Sequence, residues 1–174
     1  GKFAGMMLAL IVMQFFLMIA GILVQASLGY YHFQIPVYLK ILFGLRLTDY
    51  VLLAILAFAL HVMLNQKYVA HLVAVLFYLF RMFGPEFGIE SGLLLYASDP
   101  GWSWSDLSGL SPYMQPWLYF KMYWGAWAML LAVAASVLWP RGAEHGFRKR
   151  FQQGFRKNNV RIKALAGISA LMIL

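Results

Sequence analysis

The chain has 174 residues, of which 63% are hydrophobic and 11% charged, against roughly 45–50% and about 25% in ordinary soluble domains. A soluble fold of this size has too little interior to hide so much apolar surface, which argues against a soluble enzyme and against disorder and makes lipid the solvent. The formal charge of +8 is gathered in one segment, and the lack of cysteine excludes disulfides, thiol catalysis and Cys-ligated metal sites.

Phe3 to Gln25 is apolar apart from Gln14. At 1.5 Å per residue it extends roughly 34 Å, enough to cross a hydrocarbon core of about 30 Å. Val37 to Thr48 is apolar with Lys40 and Arg46 embedded. It either lies in the interface as a short helix or extends the next span as a tilted entry, and Gly44 favours a break. Further spans are expected at about 50–66, 68–83 and 117–139, the last ended by Pro140. Asn65-Gln66-Lys67 leaves room only for a tight helical hairpin. Another span starts near Ala164 and runs to Leu174. The runs are continuous rather than alternating, which predicts helices and not barrel strands. The expected fold is all-α: a polytopic membrane bundle of about five transmembrane helices with an outer re-entrant or interfacial helical element. Residues 1–139 form the bundle, 140–163 a basic linker, and 164–174 the truncated start of a further helix. The chain begins without Met and ends inside an apolar run, which points to a segment of a longer protein.

Charge sets the direction. Gly84 to Pro116 holds Glu86, Glu90, Asp99 and Asp106 and no Lys or Arg, whereas Arg141 to Lys163 holds eight Lys and Arg against Glu144. The positive-inside rule puts 140–163 in the cytoplasm and 84–116 outside. Lys40 and Arg46 run against this order but are outnumbered.

Within the outer loop, Ile89 to Ala97 is apolar but too short to span, which suggests a re-entrant or interfacial helix. Gly84, Gly88 and Gly92 read better as turn glycines around Pro85 than as a helix-packing motif. Trp102, Trp104, Tyr113, Trp117, Tyr119, Tyr123, Trp124 and Trp127 form an aromatic belt. In the basic linker Phe147, Phe151 and Phe155 recur every four residues, with Arg148, Lys149 and Arg150 on other faces. That is the pattern of an amphipathic helix on an anionic leaflet, and these six residues are candidate membrane-surface or partner contacts. Its place between two spans argues against nucleic acid.

Chemistry is sparse. The acids lie in loops or at the ends of the predicted spans, and none is central, so an ion-coupled carrier has little support. Phosphate-loop and zinc-helix motifs are absent. Gln14, His61 and His71 are candidate interhelical polar contacts. Arg81 and Lys121 lie near the outer span ends and can snorkel. No catalytic, metal-binding or cofactor-binding residue is assigned, and no cofactor is expected.

The residue order carries a further signal. Gly1-Lys2-Phe3 opening a span resembles the entry to the third helix of a type-2 ABC exporter permease. Tyr38-Leu39-Lys40, Leu42-Phe43-Gly44-Leu45, Asp49-Tyr50, His61-Val62, Asn65-Gln66-Lys67-Tyr68-Val69, His71-Leu72 and above all Ser98-Asp99-Pro100-Gly101-Trp102-Ser103 with Ser105-Asp106 are similar to bacterial permeases fused to a gluzincin-type zinc aminopeptidase. The likeness covers almost the whole chain. It implies a permease in the bacterial cytoplasmic membrane, driven by a separate cytosolic ATPase, working as a homodimer or with a second permease half. This chain lacks the first two helices and the peptidase of a full member, so no catalytic residue carries over. The alternatives are a membrane redox protein with haem on His61 and His71, and a membrane anchor for an outer peptidase.

Overall fold

In the computed structural model the described residues are 2–64, 66–89, 91–105, 107–139 and 160–173, without the side chains of Lys2 and Val160–Lys163. They form helices and no strand; one isolated bridge joins Ser105 and Gly109. Four helices are long and apolar enough to cross a membrane, and the chain is all-α and of membrane-protein character. Helix α1 covers Lys2–Ser27. Helix α2 covers Ile35–Leu64 and includes a π-helical stretch, Leu39–Arg46. Helices α3 (Lys67–Phe83), α4 (Ser111–Leu138) and α5 (Val160–Ile173) follow.

The chain divides into two compact units, Gly1–Ala54 and Ile55–Leu174. In the first, α1 stops at Gly29, whose φ of 78° is the left-handed conformation that glycine adopts without steric cost. The Tyr30 amide reaches back to the Gln25 carbonyl at 3.0 Å, closing the helix end. Pro36 sits in the first turn of α2, where its missing N–H costs nothing. Gly21 admits the Tyr38 ring: a Cβ there would lie 3.0 Å from Tyr38 Cε1. Phe15 meets Phe43 edge-on, with ring centroids 6.0 Å apart. These two contacts set α1 against the start of α2 in antiparallel register.

The second span therefore starts at Ile35, not at Tyr50. Of the two readings of Val37 to Thr48, extension of the span is the observed one. Gly44 does not break the helix. The Leu47 amide bonds to the Leu42 carbonyl, five residues back, so the backbone widens into π geometry and continues. This moves Lys40, Arg46 and Asp49 into a 30-residue apolar helix.

In the second unit, Ala59 and Val62 of α2 pack with Ala135 and Leu138 of α4, flanked by Phe58, Met63 and Leu131. Phe58 stacks on Trp139 at 5.4 Å. Alanines let helix backbones approach closely, the usual solution where lipid removes the hydrophobic drive between helices. Helix α5 packs along α4, and its Ser169 hydroxyl donates to the Leu165 carbonyl at 2.8 Å within its own helix. Leu72, Leu76, Phe80 and Phe83 keep one face of α3 exposed and apolar, as a lipid-facing surface requires.

Candidate functional site

The described polar groups are concentrated where the α3–α4 connection folds back onto the ends of those helices. Its path is set by turn chemistry. Pro85 opens a 3-10 turn over Gly84–Phe87, and Gly88, at φ 79°, ends it. A second 3-10 turn covers Gly92–Leu94. Ile89 to Ala97 is thus not a continuous helix: Ile89 and Ser91 lie outside any helix, and the short turn starts at Gly92, where an added Cβ would lie 3.1 Å from Phe120 Cε1 and would require that ring to give slightly. All three glycines of the 84–88–92 series act in turns. The Ser98 hydroxyl donates to the Gly92 carbonyl, and the Gly101 amide donates to Asp99 Oδ1 at 3.1 Å, a side-chain turn that starts the Asp-Pro-Gly corner.

At the centre is Ala97, fully buried and held at φ 59°, a conformation that costs a residue with a Cβ about 1 kcal/mol or more. Its carbonyl accepts from two cations on different helices: Arg81 Nη2 of α3 at 2.9 Å and Lys121 Nζ of α4 at 3.2 Å. Lys121 also donates to the Ser98 carbonyl at 3.0 Å, and its Nζ lies 3.9 Å from Asp99 Oδ2 and 5.9 Å from the centroid of the Trp117 ring. Only 4% of the Lys121 side chain is exposed. A buried ammonium is tolerated when charge-assisted hydrogen bonds replace its water, and two carbonyls with a nearby carboxylate do so here.

An aromatic wall borders this clamp. Tyr96 meets Trp124 edge-on at 5.1 Å, and Trp124 meets Tyr123 at 5.0 Å. Burial pushes the Tyr96 phenol well above its usual pKa, because the phenolate would lose its hydration there. Trp104 packs on Gly109, and Ser103 Oγ donates to the Tyr113 hydroxyl at 3.0 Å.

Lys121 does not snorkel. Helix α4 begins at Ser111, with Pro112 in its first turn, rather than at Trp117, so Lys121 lies well inside it and turns inward. The cue available in the sequence was Ser111-Pro112, a helix start placed before the apolar run. Arg81 is half-buried and likewise directed at the connection.

None of the other singled-out residues is among the partners of Arg81 or Lys121 described above. His61 and His71 are both exposed, on α2 and α3; His61 Nδ1 is 2.7 Å from the Ala57 carbonyl of its own helix. Gln14 is 1% exposed, yet its Oε1 has no hydrogen-bond partner among the described residues. Phe147, Arg148, Lys149, Arg150, Phe151 and Phe155 lie outside the described residues. Sequence reasoning missed Asp49. It falls halfway along α2 and is 3% exposed, which corrects the expectation that no span carries a central carboxylate. Among the described residues no group of three His, Asp or Glu converges as a metal site would need. The clamp fastens the connection to α3 and α4, and among the described residues it holds no nucleophile–base pair.

Comparison with protein-family models, with curated proteins and with solved structures finds no match to this chain.

Proposed function

We propose that the chain is the membrane-spanning part of an ABC-type exporter permease in the bacterial cytoplasmic membrane, with 84–116 outside and 140–163 in the cytoplasm. A separate cytosolic ATPase drives it, and it works as a homodimer or beside a second permease half. The observation that carries this reading is the α3–α4 connection, a folded element that Arg81 of α3 and Lys121 of α4 hold through the Ala97 carbonyl. For this position the resemblance implies outer re-entrant helices before the last span of the module, and the described residues have short 3-10 turns there instead. Further support comes from the tight α2–α3 hairpin, with Gln66 extended between the two helices, and from the motif stretches around Ser98 to Asp106. The permease supplies the pathway and does no bond chemistry; its helices move between inward-open and outward-open packings as ATP is bound and hydrolysed.

The test is reconstitution of the full-length protein with a candidate cytosolic ABC ATPase from the same organism. ATP hydrolysis by the ATPase rises when the permease is present in the same vesicles. A permease that neither binds that ATPase nor changes its turnover removes the exporter reading and leaves a membrane anchor.

A further inference from the structure

Lys40 and Arg46 stand in the first half of α2, against the order of charge along the chain. Arg46 has an interaction of its own. Lys40 is exposed and has no hydrogen-bond or ion-pair partner among the described residues. Tyr38 lies over Gly21 of α1, and two residues further along a helix the side chain points roughly half a turn away. Lys40 is therefore on the face of α2 turned away from α1. It stands roughly 7.5 Å along the helix from its start at Ile35. Side chains on a helix lean toward its N-terminus, so the ammonium leans toward the loop that precedes α2. Gly44, one turn after Lys40, is exposed and has open space where a Cβ would be, which leaves the helix surface beside the lysine bare. Asp49 is the one acid in the sequence of the first unit, and it is buried, so that unit offers Lys40 no exposed carboxylate.

The loop itself, Leu28 to Gln34, has no Lys, Arg, Asp or Glu and carries four consecutive aromatic rings, Tyr30, Tyr31, His32 and Phe33. All four are exposed, Tyr31 to 73%. The Phe33 amide bonds to the Tyr31 carbonyl at 3.1 Å, a tight turn, and the Tyr30 and His32 rings lie 6.5 Å apart. The apolar run from Phe3 ends at Gln25, just before this loop, so the loop emerges at the level of the lipid headgroups. There a tyrosine keeps its ring against the acyl chains and its hydroxyl in the polar layer. The Lys40 ammonium reaches the same layer along its four-carbon stem. A compact cation without a carboxylate partner, beside hydroxyl donors, is suited to the oxygens of a phosphodiester.

We propose that the start of α2 and the loop before it bind the headgroup of an anionic phospholipid, with Lys40 as the cation and the Tyr30 and Tyr31 hydroxyls as donors to its phosphate. The acyl chains lie along the exposed side of α2 next to Gly44. The inference does not depend on the exporter reading. It accounts for a lysine that the charge order leaves unexplained: its counter-charge comes from the lipid and not from the chain.

The test is thermal unfolding of the full-length protein in neutral detergent at constant ionic strength, titrated with short-chain phosphatidylglycerol or with phosphatidylcholine of the same acyl length. Phosphatidylglycerol raises the midpoint saturably, as a ligand of the native state must, and at a lower concentration than phosphatidylcholine. Lys40→Gln raises the half-saturating concentration by roughly fivefold, the scale of one lysine at an anionic surface. Tyr30→Phe with Tyr31→Phe, which keeps both rings, raises it by roughly threefold. Lys40→Arg keeps the binding, and Lys67→Gln, in the hairpin between α2 and α3, leaves it unchanged. Without lipid Lys40→Gln unfolds at the parent midpoint, because an exposed side chain without a partner is lost at little cost, so its effect on the lipid response is not a folding defect. Equal responses to the two lipids overturn the proposal. So does a Lys40→Gln variant that responds like the parent, or Lys40→Gln and Lys67→Gln weakening the response equally, which would make it diffuse charge. The same midpoint rise with inorganic phosphate alone also overturns it, since the site would then take a free anion and not a lipid.

Discussion

Lys121 Nζ lies 3.2 Å from the carbonyl oxygen of Ala97, a residue 24 positions earlier in the chain and held in a left-handed backbone conformation. The same oxygen accepts from Arg81. Strain at Ala97 and charge-assisted bonds at Lys121 and Arg81 are therefore parts of one arrangement: the turn exposes its carbonyls to the cations, and the cations hold the turn.

Lys121→Met leaves the Ala97 and Ser98 carbonyls without this donor inside the protein. The loss is about 1–3 kcal/mol, the cost of unsatisfied buried polar groups, read as a lower unfolding midpoint in detergent. Ala97→Gly acts in the opposite direction, because glycine adopts positive φ freely. It raises the midpoint or leaves it unchanged, and a fall would mean that the Ala97 methyl matters more than its backbone.

Gly84→Ala forces a clash. The new Cβ would lie 2.5 Å from Leu95 Cδ2, and Leu95 is buried. Overpacking of this kind costs about 1–3 kcal/mol. Adding Leu95→Ala to Gly84→Ala relieves the overlap, so the double variant is more stable than the sum of the two single losses. Strict additivity would mean that Gly84 is not pressed by Leu95.

Tyr96 gives the connection a pH response. Its phenol is buried and its pKa is raised, so folding favours the protonated form. The contribution is unchanged at neutral pH and turns unfavourable once the solution passes about 10, where the unfolded chain ionises. Tyrosinate absorbance should show one group titrating later than the rest, and Tyr96→Phe should abolish that late step and soften the loss of stability above pH 10.

Orientation is tested by cysteines at Ser105 and Gln153, which carry opposite predictions from the Lys and Arg distribution. Ser105→Cys labels from outside intact cells, and Gln153→Cys labels only after permeabilisation. The reverse pattern inverts the whole topology.

The 143–159 segment is tested as a peptide. With Phe147, Phe151 and Phe155 on one stripe it becomes helical on anionic vesicles and stays disordered with neutral ones. A scrambled peptide of the same composition binds more weakly; equal binding would show that charge suffices.

Much of the bundle was legible in residue order. Continuous apolar runs, the three-residue hairpin at Asn65 to Lys67 and the turn chemistry around Asp99-Pro100-Gly101 specify helices and the corners between them, because these features depend on neighbours within a few residues. Three features were decided only by tertiary structure. The continuation of α2 back to Ile35 depends on Tyr38 and Phe43 packing on α1, which gives the Lys40–Arg46 stretch a reason to stay helical although Gly44 reads locally as a break. The inward turn of Lys121 depends on carbonyls 23 and 24 residues away, which no local pattern encodes. The burial of Asp49 follows from the longer helix: by itself it reads as an acid at a span's edge, and in the folded chain it lies at the centre of one. Sequence fixes which segments enter the lipid, since transfer is set by each segment's own side chains. Which polar groups lie at depth, and what they face, is set by helix register, and register is a property of two helices at once.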